Sequence, residues 1–197
     1  MTTRTFKPNI SKEELNALEA ESFWGNIHIV NTEEEAERAC NYLLEQDVIG
    51  FDTETKPSFV KGESHQVALM QLSDANNCFL FRLNLIGIPN CVANLLRTNR
   101  VTKIGLSTKD DFRALSQLKK DINPDNFIEL QNYVTQYGIE EKSLSKIYAI
   151  IFGKRISKGQ RLSNWEAEEL SPKQQLYAAL DAYATRRIYA ELEGIKD

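Results

Sequence analysis

The chain lacks any apolar run approaching the ~18 residues that a membrane-crossing helix needs. Its opening, Met1-Thr-Thr-Arg-Thr-Phe-Lys7, lacks the apolar stretch of a secretory signal. The expected setting is therefore cytoplasmic, with no membrane partner. Cysteine is scarce: Cys40, Cys78 and Cys91 make three, an odd number without the close pairing of a metal site. Histidine is scarcer still, and neither His28 nor His65 lies beside a cysteine pair. A disulfide framework and a structural zinc site are both excluded on these grounds. Internal repeats and low-complexity tracts are absent, so a repeat array is excluded as well. An excess of basic residues is also missing. The net charge is −4 and the pI about 5.4, whereas a nucleic-acid binder is ordinarily basic. Where charges sit matters more than their sum, so the distribution has to decide.

What remains is ordinary for a globular protein: 197 residues, 42% hydrophobic and 26% charged. That length suits one well-buried core and is short for two. Ser11 and Glu14 have capping-box spacing, so a short helix is expected after Ser11. Strands are expected over 23–30, over the apolar run Val48-Ile-Gly-Phe51, and over 67–72 and 78–83. The last two form a hairpin around Ser73-Asp-Ala-Asn-Asn77. Thr32 is an N-cap candidate for a helix to about Glu45, with Glu33, Glu34 and Glu35 at its positive end. Pro89 starts another helix. Residues 101–106 read as a strand, with Thr108 capping a helix to about Lys119, and 127–130 as a short strand. The chain ends in a long helix with Ser171 as cap, Pro172 in the first position and Gln174 completing a capping box. Early strands followed by strand–helix–strand and then helices predict one α/β domain with a mixed sheet. Residues 1–22 form an arm and 23–197 the domain.

Three groups of residues could carry chemistry. Asp52 and Glu54 follow the buried run 48–51. Residues two apart on a strand face the same side, so both carboxylates project together. Without a cation they repel and one tends to keep its proton; a divalent metal reverses that penalty. Tyr177 and Asp181 lie four apart on the final helix and share a face. Asp111 falls in the first turn of the helix after Thr108, where the helix dipole favours an acid, and its neighbour Asp110 suits that position equally well. Taken singly, each pair also fits a solvated acidic surface. The fourth feature is a block of basic charge. Lys142, Lys146, Lys154, Arg155, Lys158 and Arg161 occur between 142 and 165 without one Asp or Glu. The glycine-punctuated loop 153–161 carries four of them, and Trp165 follows. Basic groups beside an aromatic suit a phosphate backbone and a base to stack on.

In this order the segments resemble the DEDDy family of 3′→5′ exonucleases, which includes ribonuclease D and the Werner-type exonuclease domain. Ile49-Gly-Phe-Asp-Thr-Glu-Thr55 is similar to the first motif of that family. Lys103-Ile-Gly-Leu-Ser-Thr-Lys-Asp-Asp-Phe112 is similar to the second, whose acid falls on Asp111 in the Werner-type spacing. Leu176-Tyr-Ala-Ala-Leu-Asp-Ala-Tyr183 is similar to the third. Asn126-Phe-Ile-Glu-Leu130 and Leu162-Ser-Asn-Trp165 add to the resemblance, which runs from about Phe23 to Glu193. It implies a ribonuclease-H-like fold with a mixed five-stranded sheet flanked by α-helices. It implies two Mg²⁺ or Mn²⁺ ions on Asp52, Glu54, Asp111 and Asp181, and it makes Asp52, Glu54, Asp111, Tyr177 and Asp181 the catalytic set. Tyr177 would orient the attacking water. The implied partner is a DNA or RNA 3′ end, held by Lys154, Arg155, Lys158, Arg161 and Trp165. Four added positive charges would cancel the acidic balance. A catalytically inactive nucleic-acid-binding module of the same fold is the alternative. It would normally lack one of the carboxylates, and here all four are present.

Overall fold

A computed structural model describes residues 5–195. Its strands are β1 (Asn26–Val30), β2 (Val48–Thr55), β3 (Val67–Ser73), β4 (Asn77–Phe81), β5 (Thr102–Gly105) and β6 (Phe127–Glu129). Its helices are α1 (Lys12–Ala17), α2 (Glu33–Leu43), α3 (Leu83–Ile86), α4 (Asn90–Arg97), α5 (Thr108–Leu118), α6 (Leu130–Tyr133), α7 (Leu144–Phe152) and α8 (Pro172–Glu193), with a 3-10 turn over Val134–Tyr137. The strands form one mixed sheet in the order β1-β4-β3-β2-β5-β6. β2, β3 and β4 are antiparallel neighbours, while β1–β4, β2–β5 and β5–β6 are parallel. The sheet thus has six strands among the described residues rather than five. The three-residue edge strand β6, expected at 127–130, is held to β5 through Lys103, Ile104 and Gly105. No helix of the described residues is long and apolar enough to cross a membrane.

Period-two alternation divides β2, β4 and β6 between two cores. In β4, Cys78 and Leu80 join the core under α7 and α8, and Phe79 and Phe81 join the core under α2, α4 and α5. In β2, Ile49 and Phe51 face the second core, which leaves Gly50, Asp52 and Glu54 facing α8. Being covered on both faces explains why β3 is buried along its entire length.

Local signals set most element ends. Ser11–Glu14, Thr32–Glu35 and Ser171–Gln174 are all reciprocal capping boxes, and Pro172 occupies the start of α8. Other boundaries are shifted. β1 begins at Asn26, because Phe23 turns into the core instead of continuing the strand. β4 stops at Phe81, and Leu83 opens α3. Thr108 is the first residue of α5 and not its cap. The cap position belongs to Ser107, which is left-handed at φ 64°.

Side chains lock α8 onto the sheet. Thr185 Oγ1 donates to Ile104 O at 2.9 Å, and Arg186 Nε donates to Val48 O at 3.2 Å. Buried bonds of this kind each contribute about 1 kcal/mol, and they fix the register of α8 over β2. The approach is close enough to demand glycine at position 50. A Cβ there would lie 1.8 Å from Ala182 O and 2.8 Å from Thr185 Oγ1.

Gly50→Ala is therefore expected to push α8 off β2 at a cost on the order of 3 kcal/mol. That corresponds to a fall in Tm of about 6–12 °C for a chain of this size. A thermal melt within about 2 °C of the wild type would contradict the close approach.

Candidate functional site

β2 presents Asp52 and Glu54 on its α8 face, and α8 places Asp181 immediately before Ala182, the residue that crowds Gly50. As a result, Asp52, Glu54 and Asp181 each offer an oxygen within 4.8 Å of the others. Glu54 and Asp181 are buried and Asp52 is half-buried. Burial disfavours ionisation and the neighbouring carboxylates add to it. The Asp52 carboxyl is pushed well above its ordinary range by desolvation and by Asp181, Glu54 and Asp111. Desolvation together with Asp181 and Asp111 pushes Glu54 up to about 9. Asp181 rises to about 7, again through burial. Three oxygen ligands that cannot all ionise alone form a hard, anionic donor set that suits Mg²⁺ or Mn²⁺. The residues fit such an ion.

Asp111 stands just outside this triad, but its charge reaches both Asp52 and Glu54. Its carboxylate accepts a hydrogen bond from the Thr53 hydroxyl, and burial raises it to about 6. Asp110 points away from the site. It is 81% exposed and paired with Arg113 at 3.0 Å. The structure therefore selects Asp111, a choice the sequence left open. Two residues that position Asp111 or its helix were not foreseen. Thr53, between the two first-motif acids, faces the opposite side of β2 and grips it. Glu129, at the end of β6, caps α5 in place of Thr108. Its Oε1 accepts from Ser107 N and its Oε2 from Thr108 N, both at 2.8 Å, and Oε2 also accepts from Thr108 Oγ1 at 3.1 Å. The glutamate in 126–130 was the available signal, but its partner lies across the sheet edge.

Tyr177, one turn before Asp181, has its hydroxyl against the Asp181 carboxylate. Burial and the surrounding acids drive its ionisation up, so it stays a neutral phenol. A cavity of about 140 Å³ opens beside these groups, with Asp52, Tyr177, Asp181, Lys158 and Arg161 among its walls. The Lys158 ammonium faces Asp181 and the Arg161 guanidinium faces Glu54; each favours the ionised carboxylate. Both basic side chains belong to exposed residues.

The rest of the basic block goes elsewhere. Lys154 Nζ reaches Glu21 at 3.3 Å, and Arg155 Nε donates to Leu18 O at 3.0 Å. Trp165 is fully buried, with its ring 6.0 Å from that of Tyr177, so it offers no face for a base to stack on. Its place at the end of a basic, polar loop suggested exposure. The long helix supplied the apolar wall that buries it.

A family model described as 3′-5′ exonuclease matches residues 27–195. The chain is 32% identical over 162 residues to the bifunctional 3′-5′ exonuclease/ATP-dependent helicase WRN of Mus musculus, covering 79% of this chain and 11% of that protein. It spans between 11% and 54% of the length of eight curated relatives. Among solved structures, the Nibbler EXO domain of Aedes aegypti superposes with a TM-score of 0.79 at 22% identity, covering 89% of this chain and 92% of that one. The Trypanosoma brucei RNase D complex with RNA U12 superposes with a TM-score of 0.74 at 19% identity, covering 89% of this chain and 65% of that one.

The raised carboxyls have a measurable consequence. A group whose folded pKa lies above its unfolded value stabilises the fold at low pH, and that contribution is lost as pH rises through the folded value. Metal-free protein is therefore expected to lose Tm between about pH 5 and about pH 9, through the levels at which Asp181 (about 7) and Glu54 (about 9) ionise. Glu54→Gln should flatten the decline. Mn²⁺ should raise Tm most at the alkaline end, where protons no longer compete. Metal-free melts that match between wild type and Glu54→Gln at every pH would refute the shared-charge description.

Proposed function

Because the chain belongs to the 3′→5′ exonuclease family, we propose that it removes nucleotides one at a time from the 3′ end of DNA or RNA. The reading comprises a two-ion mechanism with Mg²⁺ or Mn²⁺ and release of nucleoside 5′-monophosphates. Residues 23–197 act as the hydrolase domain. The observation that carries it is the convergence of Asp52, Glu54 and Asp181 within 4.8 Å, beside a cavity that Lys158 and Arg161 help to line. A purely structural role gives no reason to bury three mutually repelling acids.

Asp52, Glu54 and Asp181, with Asp111 from the far side, would hold the ions. Bound there, divalent cations supply the Lewis acidity that makes water a nucleophile near neutral pH and balances charge on the scissile phosphate. The chain's own groups do the remainder. Lys158 and Arg161 neutralise the incoming phosphodiester and draw it toward the acids. Tyr177 orients the attacking water through its hydroxyl. It is no general base, since its environment holds the phenol protonated. Attack forms a phosphorus–oxygen bond from water and breaks the bond to the departing 3′ oxygen, which leaves as a hydroxyl. Thr53 and Glu129 keep Asp111 and its helix in place, so little reorganisation is needed during the reaction.

Asp52→Asn is expected to reduce nucleotide release from a 5′-labelled oligonucleotide to below about a thousandth of the wild-type rate, roughly 4 kcal/mol of transition-state stabilisation. Its folded circular dichroism spectrum should be retained. Tyr177→Phe should lower kcat about a hundredfold and change KM less than about threefold. Full activity of Asp52→Asn in Mg²⁺, or activity of the wild type that survives chelation, would end the two-ion reading, and a wild type that releases no nucleotide would end the exonuclease reading.

Only two of the four loop cations face the site, so they alone should contribute to salt-sensitive binding. Replacing Lys158 and Arg161 with Ala is expected to reduce the log–log salt slope for single-stranded substrate by about 1.4, not the ~2.8 of four phosphate contacts. An unaltered slope would remove the loop from the nucleic-acid path.

A further inference from the structure

The family match begins at residue 27, yet residues before it are built into the loop that carries Lys158 and Arg161. After α7 the chain turns at Gly153, left-handed at φ 66°, and then runs beside the N-terminal arm. Glu21 N donates to Arg155 O and Arg155 N donates to Glu19 O, both at 2.9 Å, so Ala20 and Arg155 form an isolated parallel bridge. Arg155 Nε adds its bond to Leu18 O. Ser145 Oγ holds the next residue, at Ile156 O, at 3.0 Å. Beyond that point the loop makes short local turns until Asn164, whose carbonyl accepts from Gln174 Nε2 of α8 at 3.1 Å, and it is between these two anchors that Ser157, Lys158 and Arg161 reach the acid-lined cavity.

The anchor of this arrangement is the Glu21 carboxylate, whose side chain is 4% exposed. It accepts from Tyr148 Oη at 2.9 Å, Arg187 Nη1 at 2.8 Å, Lys154 Nζ at 3.3 Å and its neighbour's backbone, Ser22 N, at 3.1 Å. One carboxylate thereby ties the arm to α7, to α8 and to the root of the basic loop. Arg187 is itself packed over the Phe152 ring at 4.4 Å. Removing the carboxylate would leave the buried Tyr148 phenol and the half-exposed Arg187 guanidinium and Lys154 ammonium without their common acceptor.

We infer that Glu21 is a positioning residue for substrate: through the arm–loop bridge it fixes the basic loop so that Lys158 and Arg161 stand over Asp181 and Glu54. The arm is thus part of how the nucleic-acid site is built. This rests on the exonuclease reading above. It requires that loosening the anchor weaken capture of the phosphodiester while leaving the carboxylates and Tyr177 in place.

The test compares Glu21→Ala and Glu21→Gln with wild type in the full chain, using a single-stranded oligonucleotide and Mn²⁺. Glu21→Ala should raise KM about tenfold with kcat within about twofold, the pattern of lost binding that is equal in ground and transition states. Amide exchange should accelerate in residues 155–161 and stay unchanged in 48–55. Glu21→Gln, which retains an acceptor for the Tyr148 hydroxyl, should fall between. If Glu21→Ala does not fold, Tyr148→Phe removes one donor from the same carboxylate and should give a smaller shift in the same direction. An unaltered KM together with unaltered exchange at 155–161 in the variants that fold overturns the inference. A fall in kcat with KM constant also overturns it. Wild-type protein that releases no nucleotide defeats the exonuclease reading instead, and loop exchange alone then decides whether Glu21 holds the loop.

Discussion

Three carboxylates forced into one small volume are the constraint around which this molecule is organised. Left alone they oppose ionisation, and their pKa values rise accordingly. The fold tolerates the arrangement because its scaffolding is rigid. β2 is flanked by two other strands. Thr185 and Arg186 bond α8 to carbonyls of the sheet, and Gly50 permits backbone contact where any side chain would intervene. The close helix–strand approach creates the crowding, and a divalent cation bound there would relieve it.

The charge pattern resolves an apparent contradiction. An acidic protein is a poor general ligand for nucleic acid, yet four of the 28 acids stand where bound cations would neutralise them. The two free cations of the loop stand directly above. On the proposed function, attraction would be focused on the acid-lined cavity instead of spread along a surface. Lys154 and Arg155, from the same basic block, serve the architecture by holding the arm.

Much of this was legible in residue order. The apolar run at 48–51 and the hairpin around 73–77 gave strands. Capping boxes at Ser11, Thr32 and Ser171 set three helix starts within a residue. The two-residue spacing of Asp52 and Glu54 and the four-residue spacing of Tyr177 and Asp181 each imply a shared face from geometry alone. The Thr108 assignment failed because its competitor, Glu129, lies 21 residues away and wins by bonding two backbone amides at once. Trp165 failed because local polarity does not report what another segment brings to cover a side chain.

The sequence by itself determined the chemical inventory: carboxylates and a phenol at strand and helix spacings, with a basic loop, and no thiol or imidazole set for softer metals. Periodicity is a local property, and it can be read from a few neighbouring residues. Only the tertiary structure decided which of Asp110 and Asp111 faces the site, which basic residues stand over it, and that Trp165 is core. Those outcomes depend on contacts between segments dozens of residues apart, where burial and hydrogen bonding to a distant partner outweigh local preference.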